Sequence, residues 1–176
     1  MRTLYRTILV TAAAGAAVLT GVVTAHGAAT TTSDQQSSLI EDFAYPNAAQ
    51  ILASDQVQIT SGDGHILYAA CPLGQDTVGV IQMNTAARIG QAQTIGRVCF
   101  QVIGAAGEIT VNIPRVYSIT GDGLTPGQGH KLKANLTTAA GARSSVDVPG
   151  YGTTQVGIGA DPGADPTTVL ELIASS

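Results

Sequence analysis

The chain has 176 residues, eight basic and twelve acidic side chains, a net charge of −4, no tryptophan and 11% charged residues. A balance this acidic and poor in lysine argues against nucleic acid and anionic membranes as partners. Its length suits one hydrophobic core once the N-terminal segment is set aside.

That segment, MRTLYRTILVTAAAGAAVLTGVVTAHGAATTTS, places Arg2 and Arg6 ahead of an uncharged run from Ile8 to Ala25. Charge followed by a modestly apolar stretch is the order of a secretory signal peptide, here residues 1–29, with small residues Ala25, Gly27 and Ala29 near the expected cleavage point. A retained N-terminal anchor is the alternative, since the run is about long enough to span a bilayer. Loss of the leader would leave six basic against twelve acidic residues, a net charge of −6. Residues 30–38, TTTSDQQSS, lack large apolar side chains and read as a flexible leader to a single domain over 39–176.

The domain opens with LIEDFAYPNAAQILAS, where Pro46 suits a first helical turn and Ala48, Ala49, Ile51 and Leu52 give a short helix an apolar side. The period then becomes two. Val57 and Ile59 alternate with Gln56, Gln58 and Thr60, and HILYAAC follows as a more continuously apolar strand. Between them, Ser61-Gly62-Asp63-Gly64 is a hairpin signal, because Asp and Gly tolerate positive φ. TVGVIQMNT at 77–85 reads as a further strand. RVCFQVIG sets Val98, Phe100 and Val102 against Cys99 and Gln101, and EITVNIPRVYSIT sets Ile109, Val111 and Ile113 against Thr110 and Asn112. This pair predicts a hairpin, with an edge, bulge or bend at Pro114. HKLKANLTT, SSVDVPG, TTQVGIG and TTVLELIA complete eight or nine short strands, the pattern of an all-β antiparallel sandwich with one short N-terminal helix.

Two cysteines, Cys71 and Cys99, both follow the leader, and in an exported chain they are most simply one disulfide. Two free buried thiols, or a metal site with further ligands, are the alternatives. The histidines beyond the leader are His65 and His130, each beside a Gly-Asp-Gly turn: SGDGH at 61–65 and TGDGLTPGQGH at 120–130. Asp63 and His65 would project to opposite sides of a regular strand, so a dyad from these two requires a distorted turn. No Gly-x-Ser-x-Gly elbow accompanies either histidine. Asp63 and Asp122, with Asp161 and Asp165 in GADPGADP, are weak candidates for a calcium site, and turn geometry is the competing account. Tyr68 and Phe100 lie within apolar strands and belong to the core, which leaves Tyr45, Tyr117 and Tyr151 as candidate stacking surfaces for a sugar.

Taken in order, IEDFAYPNAAQIL, SGDGHILYAAC, GRVCFQVIGAAGEITVNIP and TTVLELIAS resemble a group of small secreted proteins of high-GC Gram-positive bacteria. The resemblance implies an exported single domain with a Cys71–Cys99 bridge, and it brings no catalytic or binding residues. The expectation is therefore a secreted binding or interaction module without a cofactor, whose partner is a cell-envelope or extracellular protein or glycan. The rival readings are a small extracellular hydrolase using His65 or His130 and a structural component of the cell envelope.

Overall fold

Alternating apolar positions settle into nine strands among the described residues of the computed structural model, which are 44–72, 79–91 and 93–176. The expected signal peptide and flexible leader, the first residues of the 39–54 segment and the start of the 77–85 strand lie outside the described residues. Those described fall in one compact unit, Ile40–Ser176.

Helix α1 is Ala48–Asp55; the strands are β1 Gln58–Gly62, β2 Ile66–Ala69, β3 Ile81–Thr85, β4 Arg97–Val102, β5 Ala106–Thr120, β6 Lys131–Thr138, β7 Arg143–Val148, β8 Thr153–Gln155 and β9 Thr167–Ser175. All strand pairs are antiparallel, in the order β2-β4-β3-β5-β9-β6-β7, with β1 and β8 also on β5. The fold is all-β with one short helix, as its pattern predicts.

Its organiser is β5, whose first half pairs with β1 and β9 and whose second half pairs with β3 and β8. The changeover falls at Pro114, which has no N–H to give a ladder, and Arg115, which takes φ 54°. Register against β9 shifts between Ile113 and Val116, so the buried positions run Ile109, Val111, Ile113 before the bend and resume at Val116 after it. The bend's carbonyls are satisfied: Thr85 Oγ1 donates to Pro114 O, and the Ala86 N–H donates to Arg115 O at 2.9 Å. Both halves contribute to one apolar cluster that includes Val57, Ile59, Met83, Phe100, Leu132 and Leu172. The two arms thus close over a single core while remaining one hydrogen-bonded path through β5.

Neither expected hairpin forms: β1 pairs with β5 and β2 with β4, and β4 and β5 do not pair with each other. The chain continues from one ladder to the next at both links, and each strand finds a partner distant in sequence. Three further local expectations change. Pro46 precedes α1 rather than entering it, since Asn47 is the N-cap in the left-handed region (φ 59°). Leu52 is exposed, and the helix rests on the core only through Ala48 and Ile51, because two turns offer too narrow a stripe to bury more. Tyr45, read as a stacking surface, is instead buried: its hydroxyl accepts from the Tyr68 N–H, while the Tyr68 hydroxyl donates to Asp55 Oδ2 at 2.8 Å. Burial first, then the adjacent Asp55 carboxylate, raises the Tyr68 phenol well above its ordinary range. The same ring meets Phe100 edge-on, with centroids 5.9 Å apart.

Near the C-terminus, the TTQVGIG strand ends at Gln155, because Gly157 takes φ 50° and starts a single 3-10 turn, Gly157–Gly159. Cys71 and Cys99 form the disulfide, with Cα atoms 5.3 Å apart. Cys99 is fully buried although it sits on the side of β4 opposite Val98 and Phe100. It pairs in register with Ala69, which carries the chain from β2 toward Cys71 and its bridge.

Candidate functional site

The turn at 61–65 joins β1 to β2, and its β1 ladder shifts register between Ile59 and Ser61. Gly64 takes φ 84°, which a side chain would resist. This bends the chain so that it passes, without reversing, from the β5 ladder, where Gln58–Gly62 face Asn112 to Ile109, onto the β4 ladder, where Ile66–Ala69 face Val102 to Cys99. Asp63 then folds back on its own turn. Its Oδ1 accepts the His65 N–H at 2.9 Å, its Oδ2 accepts the Glu108 N–H at 3.0 Å, and Oδ2 lies 3.2 Å from His65 Nδ1. The two side chains therefore meet, contrary to the strand-based expectation, because residues 63–65 lie between β1 and β2 and do not continue a regular strand.

Burial pushes the Asp63 carboxyl upward, but the N–H donors of His65 and Glu108 and the His65 ring outweigh it and hold its pKa below the usual carboxylate range. Glu108 goes the other way, raised by burial and then by repulsion from Glu171 on the adjoining strand. A depressed folded-state pKa stabilises above the unfolded value of about 3.9 and is lost as pH falls through the folded one. The stability gap between the parent and Asp63→Asn is therefore expected at pH 6 and should close below about pH 4, read from urea midpoints at the two pH values.

The second turn region, 121–130 between β5 and β6, uses the same device over a longer loop. Asp122 Oδ1 accepts the His130 N–H at 2.8 Å, and Asp122 Oδ2 lies 2.6 Å from His130 Nδ1. His130 Nε2 is 2.9 Å from the carbonyl oxygen of Gly104, in the turn between β4 and β5. The pair is largely sequestered, with side chains 22% and 8% exposed. Gly104 also packs on the first turn: a Cβ there would lie 3.0 Å from His65 Cδ2, and the Ile103 N–H donates to His65 O at 2.9 Å.

The structure thus brings both histidines to the β4–β5 turn, one packed on Gly104 and one bonded to its carbonyl. Sequence reasoning missed this convergence. The repeated Gly-Asp-Gly and following histidine was its only signal, and spacing alone does not say that both loops reach the same turn.

Chemically, the arrangement ties loops together. A histidine base needs a ring nitrogen facing a nucleophile, whereas His130 presents one nitrogen to a carboxylate and the other to a carbonyl. His65 is paired with Asp63 and more than half exposed. Both cysteines are in the disulfide.

For metal, Asp63 and Asp122 each have both oxygens engaged by N–H groups, and Asp161 Oδ1 accepts the Gly163 N–H at 2.9 Å. Among the described residues, no three His, Cys, Asp or Glu side chains are grouped to hold an ion. No described helix is long and apolar enough to cross a membrane.

Of the remaining stacking candidates, Tyr117 is half-buried and Tyr151 is exposed. No protein-family model matches the chain, and no curated protein is significantly similar in sequence.

Proposed function

We propose that this chain is an exported, disulfide-bridged β-domain that acts as a non-catalytic extracellular binding module. The observation that carries the reading is the placement of His130, the more buried histidine, between two acceptors, Asp122 Oδ2 at 2.6 Å and Gly104 O at 2.9 Å. A ring held this way joins two loops and has no nitrogen left for a nucleophile's proton. The N-terminal charged-then-apolar order and the Cys71–Cys99 bridge support export, since disulfides persist in oxidising compartments. Partner binding is then a matter of presented surface.

The test has two arms. The full chain is expressed in a Gram-positive host, and export is followed by the mass of the processed protein in medium and envelope fractions. The purified product is assayed on chromogenic esters, peptides and glycosides beside His65→Ala and His130→Ala. Processing near residues 25–29 without turnover is the expected result. Turnover that disappears in either histidine variant would replace the binding module with the hydrolase.

A further inference from the structure

Resting on that reading, we infer that the loop end formed by residues 121–130 and 149–152 is a saccharide-binding site for a sugar bearing an anionic group, with Tyr151 as its stacking surface and Lys131 as its cation.

The two loops interlock backbone to backbone. The Gly121 N–H donates to Gly152 O at 3.0 Å, and the Gly123 N–H donates to Gly150 O at 2.7 Å. A Cβ on Gly123 or Gly150 would lie 2.3 or 2.6 Å from the Gln128 carbonyl oxygen, so neither position admits a side chain without moving the main chain. The Asp122–His130 pair fixes the longer loop to the body of the fold. Loops held this rigidly present their outward groups with little ordering cost on binding.

Those outward groups have a definite chemistry. A groove of about 340 Å³ is lined by Pro126, Gln128, Lys131, Pro149 and Tyr151, together with glycine backbone. Tyr151 is 42% exposed, although large aromatic rings are costly to leave in water. Flat, rigid walls from a tyrosine and two prolines, beside a side-chain amide and main-chain polar groups, complement a ring with an apolar face and a hydroxyl rim.

The groove meets a second, of about 620 Å³, that shares Lys131 and Pro149 and runs over β6 and β7, giving room for more than one sugar unit. Along this path Lys133 is neutralised by Asp147 at 2.8 Å. Among the described residues, Lys131 makes no ion pair, which places one uncompensated cation beside the tyrosine and selects for carboxylate or phosphate on the sugar.

Affinity electrophoresis of the protein obtained from the full chain tests this, in native gels containing polygalacturonate, phosphomannan, neutral mannan or poly-L-glutamate. Retardation by polygalacturonate or phosphomannan, and not by the other two, is expected, and which of the two retards identifies the anionic group. Tyr151→Ala and Lys131→Gln should each weaken the effect at least tenfold while keeping the parent's melting temperature. Unchanged mobility in both anionic saccharides overturns the inference, as does equal retardation by poly-L-glutamate or mannan, or full retention by Tyr151→Ala. None of these outcomes touches the export and turnover results on which the binding-module reading stands.

Discussion

Phe100→Ala is expected to lower stability by about 3–5 kcal/mol, the range for truncating a buried aromatic in a packed core. Phe100 is fully buried in β4, flanked in register by Tyr68 of β2 and Ile81 of β3, and it meets the Tyr68 ring edge-on. The lost volume therefore opens between three strands that the ladder prevents from collapsing. Against a typical net stability of about 5–15 kcal/mol, this is a large fraction, and it should lower the thermal midpoint by about 10–20 °C. Ile103→Ala, just beyond the same strand and 57% exposed, should change stability by no more than about 0.5 kcal/mol. Urea denaturation of both variants checks the contrast, and similar losses at the two positions would show that the β4 face assignment is wrong.

The second large effect concerns the bridge. Cys71→Ala with Cys99→Ala should cost about 3.5 kcal/mol in the chain-entropy account of a loop with a sequence separation of 28. The damage should also be local. β2 lies at one end of the strand order and pairs with β4, whereas β5 and β9 pair over seven register positions and β9 continues onto β6. Hydrogen exchange of the double variant is expected to speed up at residues 66–69 while β5, β6 and β9 keep their protection. Uniform loss across all strands would mean that the bridge supports the whole fold rather than fastening one edge.

Much of this architecture is legible in the chain because its strands are half-buried and write their faces in alternate residues. Leu132, Ala134 and Leu136 are buried as their spacing predicts, and so are Ile109, Val111 and Ile113. Pro114 announces an interruption through its missing N–H. Two cysteines in a chain that has no others announce a bridge. Turn chemistry is less decisive: Ser61-Gly62-Asp63-Gly64 has the residues of a hairpin, yet there the chain runs on from the β5 ladder to the β4 ladder without reversing.

Contacts between segments far apart in the chain do not follow from such rules. Tyr45 looks like a surface aromatic until β2 is beside it and its hydroxyl meets the Tyr68 N–H. His65 and His130 look like two unrelated turn residues until Gly104 arrives between their loops, 39 and 26 residues away. The loops at 121–130 and 149–152 interlock because β5 to β8 bring their ends together, and only then do Tyr151 and Lys131 share a groove. The physical division is one of range. Strand periodicity, positive-φ turns and a missing amide act within a few residues and can be read in order along the chain, whereas a histidine's hydrogen-bond partner or a tyrosine's burial depends on which distant backbone the closed core carries to it.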